Sequence, residues 1–238
     1  TFFDPRRFDL GRVGRFKLNQ VLGTKFPLDG KRIIRKEDLV SLVRRMIDLN
    51  NGGGEYTDMD SLANRRVRAV GETVQHYLRI GFLQMSRNIR GRMSIQSRGK
   101  FPSPGDLISS RPVAARLLSF FASSQLSQYH DQDNPLSFLS HLRRLTVKGP
   151  GGLTEQRASF SVRDAHYTHY GRICPNETPE GPNIGLTVHL ALYAQVNDLG
   201  FLETPYRKVV TKGGKMQVTN KIEYIPAWEE EGCFITSA

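Results

Sequence analysis

The chain has 238 residues, 38% hydrophobic and 9% aromatic, enough to fill at least one core and to exclude general disorder. Its 34 Lys plus Arg against 23 Asp plus Glu give a formal net charge of +11, which points to a polyanionic partner, either nucleic acid or an acidic protein face. Cys174 and Cys233 have no CxxC companion and suggest neither a zinc site nor a disulfide framework, so a reducing compartment is the simplest fit, and no apolar run of about 18 residues is available to cross a membrane.

Residues 1–36 read as a basic connector. Ten Arg and Lys face Asp4, Asp9 and Asp29, and Gly11, Gly14, Gly23 and Gly30 break any long periodicity. "RKEDLVSLVRRMIDLN" then sets Leu39, Leu42, Val43, Met46 and Leu49 at helical spacing, with Glu37 and Asp38 in the first turn, and "NNGGGEY" ends it. A second helical pattern starts at Asp60 and runs through Leu62, Val67, Val70, Val74, Leu78, Met85, Ile89 and Met93. Gly81 predicts a bend or break. Arg65, Arg66, Arg68, Arg79, Arg87, Arg90 and Arg92 fill the remaining positions, so 37–110 is a helical region with a basic face. Those arginines are either solvated or a nucleic-acid surface.

"SRGKFPSPGDLISSRP" reads as a loop and "SSRPVAARLLSFFASSQL" as a helix, with Ser110 a candidate cap and Pro112 in the first turn. Pro135 biases Asn134 away from the helical region. "GPGGL" is a turn, and "ASFSVRDAHY" alternates weakly as a strand. The length of "NIGLTVHLALYAQVNDLG" and its closing "NDLG" favour a helix over a buried strand. Short strands follow around the "KGGK" turn, and Glu229, Glu230 and Glu231 form an acidic patch. The expected divisions are 1–36, 37–110, 111–185 and 186–238, the last a helix and short-strand region truncated at its C-terminus. Thr1 in place of an initiator Met and the apolar "CFITSA" end suggest a piece of something longer.

Taken alone, the chemistry-bearing residues do not make an enzyme. His166, His169, Asp164 and Cys174 cluster, but His-x-x-His in a polar loop more often supports turns than holds a metal. No HExxH, phosphate-binding GxxxxGK loop or GxSxG elbow is present. More informative are Arg143, Arg144, Lys148, Arg157, Arg163 and Arg172, which lie close together among Gly149, Gly151 and Gly152. Glycine lets backbone approach phosphates and arginine neutralises them, so a non-specific nucleic-acid surface fits, as does docking on an acidic subunit. In "GRICPNETPEGPNIGL", Pro175, Pro179 and Pro182 restrict the unfolded chain and prearrange the loop.

"SSQLSQYHDQDNPL", "HLRRL", "GPGGLT", "VRDAHYTHYGRICPNETPEGPNIGL" and "NDLGFLETPYRKV" closely resemble the bacterial-type RNA polymerase beta subunit family, and "FFDPRRFDLGRVGRFKLN" and "DMDSLANRRVRAVGE" agree in the same order. The resemblance implies an α+β central fragment of that multisubunit polymerase, with mixed helices, short strands and long functional loops, working in bacterial cytoplasm at the nucleoid or in a plastid. By resemblance, Gln128, Tyr129, Asp131, Asn134, His141, Arg143, Arg144 and Thr146 look like the lining of the rifamycin pocket beside the RNA:DNA hybrid. His130, Phe138, Leu142 and Thr146 depart from the usual pattern there. "GPGGLTEQRASF" resembles the second fork loop. Glu155 stands where many relatives have Arg, so Arg157 and not Glu155 carries the expected phosphate contact, joining Arg143 and Arg144. Glu180 and Asn183 are implied as active-centre support, presenting their polar ends near the incoming nucleotide.

The implied activity is DNA-directed RNA synthesis from nucleoside triphosphates, with Mg²⁺ bound mainly by a beta-prime subunit and none expected on this chain alone. The implied partners are beta-prime, alpha and sigma subunits, template DNA and nascent RNA, with no membrane. The competing expectation is a noncatalytic nucleic-acid- and subunit-binding fragment, or one half of a split beta subunit.

Overall fold

A computed structural model describes residues 2–30, 32–96, 103–212 and 215–236. Within these the chain forms two compact units, Thr1–Asn64 and Arg65–Ala238. The mixed α+β architecture expected from the sequence is present, with helices, short antiparallel strands and long loops.

The first unit holds helices α1 (Gly11–Leu22) and α2 (Lys36–Asn50). The glycines of the basic stretch do not prevent α1: Gly11 and Gly14 lie within it, and Gly23 caps its C-terminal end. The stretch also supplies a buried centre. Arg15 donates through Nη1 to Asp38 Oδ2 at 2.9 Å, and both side chains are essentially sealed from solvent (2% and 0% exposed). Arg15 Nη2 also donates to the Ile33 carbonyl, and the Arg35 backbone N–H donates to the same Asp38 oxygen at 2.9 Å, closing the start of α2. The Arg35 guanidinium stacks over Phe26 at 3.9 Å from the ring centre. Ser61, Leu62 and Ala63 are buried, and Lys17 Nζ donates to the Ala63 carbonyl and Asn64 Oδ1, each at 2.9 Å.

In the second unit α3 (Val70–Gln96) packs on α5 (Arg111–Ser123), with the short α4 (Pro104–Leu107) between them in sequence. The helical pattern expected from Asp60 begins ten residues later, because 61–64 form a buried turn and Val67 N–H pairs with the Gly200 carbonyl at 2.7 Å. Just beyond, Arg66 makes two hydrogen bonds to Glu72, at 2.9 and 2.7 Å, which hold that carboxyl below the usual carboxylate range. Gly81 does not break α3, which is continuous through it. It is a point of close approach to α5: a Cβ there would lie 2.9 Å from Val113 Cα. Tyr77 and buried Phe120 add a ring contact at 5.2 Å. Ser110 is the N-cap residue of α5 as expected, but through its backbone carbonyl, not a capping side-chain bond. Of the expected loop at 97–112, residues 97–102 lie outside the described residues, and Pro104–Leu107 form the one-turn helix α4 instead, closed by Ile108 N–H donating to the Pro104 carbonyl at 3.0 Å.

Asn134 is extended and caps α6 (Pro135–Leu142) through its side chain, which accepts from Ser137 N–H at 2.8 Å. Strand β1 (Arg144–Thr146) pairs antiparallel with β2 (Thr187–His189), in register Arg144 to His189 and Thr146 to Thr187. Two further element expectations fail here. "ASFSVRDAHY" holds a one-turn helix, α7 (Phe160–Arg163), followed by coil, not a strand, because the Phe160 carbonyl accepts from Asp164 N–H to close the turn. "NIGLTVHLALYAQVNDLG" holds β2 and β3 (Gln195–Val196) and no helix. Leu186, Val188 and Leu190 alternate with a period of two, and β1 satisfies the backbone that a helix would have satisfied internally. The closing "NDLG" is the turn into β4 (Leu202–Lys212), fixed by Asn197 Oδ1 accepting from Leu199 and Phe201 N–H.

Strands β3, β4 and β5 (Lys215–Pro226) make an antiparallel sheet in that order, with a register shift between Arg207 and Val209. With 11 and 12 residues, β4 and β5 are longer than the short strands expected. The glycines of the "KGGK" turn lie outside the described residues. Against the sheet base sit Phe201, Leu202 and Ala227 of α8 (Ala227–Glu230), all buried, with Trp228 edge-on to Phe201 at 4.9 Å.

Candidate nucleic-acid interface

The residues from 128 to 189 fold back so that three loops meet around β1 and β2. His141, on α6, joins the first of them. Its Nδ1 accepts from the Asp131 backbone N–H at 3.1 Å, which leaves the ring proton on Nε2 to donate to Gln128 Oε1 at 3.0 Å. One imidazole thus fixes Gln128 and Asp131 relative to α6. His130 packs edge-on against Phe138 at 4.9 Å, while Tyr129 is fully exposed. Thr146 is engaged internally: its hydroxyl donates to the Leu186 carbonyl at 3.3 Å and accepts from Lys148 N–H at 3.2 Å.

The GPGG loop follows β1 and closes in a single 3₁₀ turn, Glu155–Arg157. The second proline-rich loop ends in another, Gly181–Asn183, with Pro182 in its first turn. Thr178 draws that loop shut, its hydroxyl donating to the Thr187 carbonyl at 2.9 Å and accepting from Gly185 N–H at 3.0 Å. Gly185 has a φ of 70°, and a Cβ on it would lie 2.2 Å from the Arg163 carbonyl oxygen, so no other residue fits without moving one of the loops.

Two cations span the loops. Lys148 Nζ pairs with the Glu155 carboxylate and donates to Asn183 Oδ1, with only 14% of its side chain exposed. Arg163 donates through Nη1 to the carbonyls of Pro182 and Ile184, at 2.7 and 3.0 Å, and through Nη2 to that of Glu155 at 3.3 Å. Proline stiffness was legible in the sequence; these struts were not, because they join positions up to 35 residues apart.

The basic cluster therefore divides. Arg172 is buried (0% exposed) and is no surface cation: it donates to the carbonyls of Thr168, Leu202 and Ile225 and pairs with Glu230 at 2.5 Å. Glu230 accordingly turns inward, out of the expected acidic surface patch. Arg143 donates to the carbonyls of Leu190, Ala191 and Leu192, bracing the segment after β2. Arg144 and Arg157 are exposed. Arg144 approaches His189 Nε2 at 3.5 Å, and among the described residues the Arg157 side chain has no hydrogen-bond or ion-pair partner. Asn183 has its oxygen on Lys148, whereas Glu180 is exposed with no side-chain partner among the described residues.

His166 and His169 lie in a 3₁₀ turn whose bonds they make themselves. His166 Nδ1 meets the Thr168 hydroxyl at 2.7 Å, and His169 Nδ1 accepts from His166 N–H at 3.3 Å. Among the described residues no group of three or more His, Cys, Asp or Glu side chains is placed to hold a metal ion. Glu177, the other carboxylate of the proline-rich loop, takes the Ser140 hydroxyl and lies 3.6 Å from His189 Nε2. No helix among the described residues is long and apolar enough to cross a membrane.

Compared with known proteins, residues 1–68 match the family described as RNA polymerase Rpb2, domain 2, and residues 128–196 match RNA polymerase Rpb2, domain 3. Over 237 residues, covering 100% of this chain, it is 55% identical to the DNA-directed RNA polymerase subunit beta of Geotalea daltonii, 54% to that of Myxococcus xanthus and 53% to that of Geobacter sulfurreducens. It spans 16 to 17% of the length of those relatives. Coverage of the whole of this chain at this identity, with Rpb2 domains 2 and 3 matched in order, means that the chain belongs to the family of the bacterial DNA-directed RNA polymerase beta subunit, of which it carries a central portion.

Proposed function

We propose that this chain is a wall of a DNA-directed RNA polymerase, lining the RNA:DNA hybrid and the downstream fork while another subunit holds the catalytic metals. In the assembled enzyme the RNA 3′-hydroxyl attacks the α-phosphate of a nucleoside triphosphate and pyrophosphate leaves. This chain contributes electrostatic support and positioning. The observation that carries the reading is the pair of loops braced by Lys148 and Arg163, which hold exposed Arg157 and Glu180 on a stiff frame, with exposed Arg144 on the adjoining β1. Preorganised charge of this kind costs no reorganisation when nucleic acid or nucleotide arrives. Beta-prime, alpha and sigma subunits, template DNA and nascent RNA are the partners, and the cytoplasm is the compartment. Large exposed apolar side chains such as Met46, Phe82, Leu118 and Phe121 favour burial in such an assembly over an isolated existence.

In the assembled enzyme, Arg144→Ala and Arg157→Ala are expected to shorten the half-life of the elongation complex and to flatten its salt dependence, since each removes a cation that neutralises phosphate. An unchanged salt-dependent half-life in both variants would count against the reading. Glu180→Ala is expected to slow nucleotide addition while leaving DNA affinity nearly intact. Equal losses in the two assays would remove Glu180 from the active-centre role.

A further inference from the structure

Of the two cations that brace the loops, Lys148 is the one that meets a side chain on each of them. Its ammonium is largely withdrawn from water, where an ion without partners is costly, and it meets one partner on each loop: the Glu155 carboxylate and the Asn183 side-chain oxygen. Glu155 is held at two points, its carboxylate by Lys148 and its carbonyl by Arg163, whose other contacts are the carbonyls of Pro182 and Ile184. Displacing the Glu155–Arg157 turn therefore pulls on the Gly181–Asn183 turn through two separate cations. At Gly185 the second loop also passes so close to Arg163 that a Cβ would lie 2.2 Å from its carbonyl oxygen, so the two segments run against each other there.

We propose that Lys148 is a positioning residue that couples the GPGG loop to the Glu180 loop, so that the state of one is transmitted to the other. Lys148 acts through Glu155 and Asn183 and need touch neither nucleic acid nor nucleotide. The kinetic part of the proposal rests on the reading under Proposed function; the mechanical part rests on the contacts alone.

The test uses the assembled enzyme carrying Lys148→Met, Lys148→Arg, Asn183→Ala and the Lys148→Met/Asn183→Ala double variant. Backbone hydrogen exchange over residues 149–157 and 179–185 is read beside kcat and KM for nucleotide addition. Lys148→Met is expected to speed exchange in both loops together by about tenfold, the scale of a lost charge-assisted hydrogen bond. It should lower kcat more than KM changes. Lys148→Arg should recover most of both effects, and the double variant should be no worse than Lys148→Met. Faster exchange in one loop only, or additive effects in the double variant, would overturn the coupling. So would a change confined to salt-dependent complex lifetime, which would make Lys148 a plain phosphate contact. If both loops loosen and Glu180→Ala slows addition while Lys148→Met does not, the positioning role is lost. If both loops loosen and Glu180→Ala is silent as well, the active-centre reading fails and the coupling stands on the exchange data.

Discussion

Asp38→Ala is expected to destabilise the Thr1–Asn64 unit by about 3–5 kcal/mol, the usual consequence of removing one member of a buried ion pair. The cost comes less from the lost attraction than from what remains: the Arg15 guanidinium stays in a place where water cannot reach it. The Arg35 N–H loses its acceptor at the start of α2 in the same step. Replacing both members by apolar groups, as in Arg15→Met/Asp38→Leu, is expected to restore much of the loss, because neither charge is then stranded. Urea unfolding followed by helical circular dichroism decides the matter. A double variant as unstable as Asp38→Ala would show that the pair contributes through its specific geometry and not through mutual neutralisation.

Arg172→Met is expected to cost a similar amount, about 3–5 kcal/mol, in the second unit. Arg172 pairs with Glu230, and its guanidinium also satisfies carbonyls on three separate segments: the loop at Thr168, β4 at Leu202 and β5 at Ile225. Methionine fills the volume but leaves those oxygens and the carboxylate unanswered, and lysine, a point charge without the planar fork, is expected to recover little. The same cluster sets an alkaline limit. The Tyr206 hydroxyl is pushed up to about 12, first by burial and then by the nearby Glu230 carboxylate. The folded state thus holds this proton more tightly than the unfolded one. Its contribution is complete below the ordinary tyrosine value of about 10 and is lost as pH rises from there through 12. Unfolding midpoints measured between pH 9 and about 12 should fall across that window, and a flat profile would place the Tyr206 hydroxyl in contact with water.

Local signals carried part of this structure well. Regular apolar spacing from Leu39 to Leu49 gave α2, and Pro135 gave the extended conformation of Asn134, though not the helix α6 that follows it. Where two distant segments decide the outcome, local reading failed. The stretch after Gly185 has the composition of a helix and becomes a strand because β1 lies beside it. The candidate site divides in the same way. Its loops were legible from their prolines and glycines, whereas the sorting of its cations into struts and exposed charges was not. Arg143, Arg144, Arg157, Arg163 and Arg172 are chemically identical in sequence, and only the placement of backbone carbonyls and carboxylates separates Arg172, sealed in the interior, from Arg157 at the surface.

The contact at Gly81 has a practical consequence for anyone engineering greater thermal tolerance into this protein. Helix propensity alone recommends alanine there, a gain of about 1 kcal/mol in an exposed helix interior. With a methyl group only 2.9 Å from the Val113 backbone, the same change would wedge the two longest helices of the second unit apart, so propensity-guided redesign has to leave this position alone and spend its substitutions on solvent-facing sites such as Gly91.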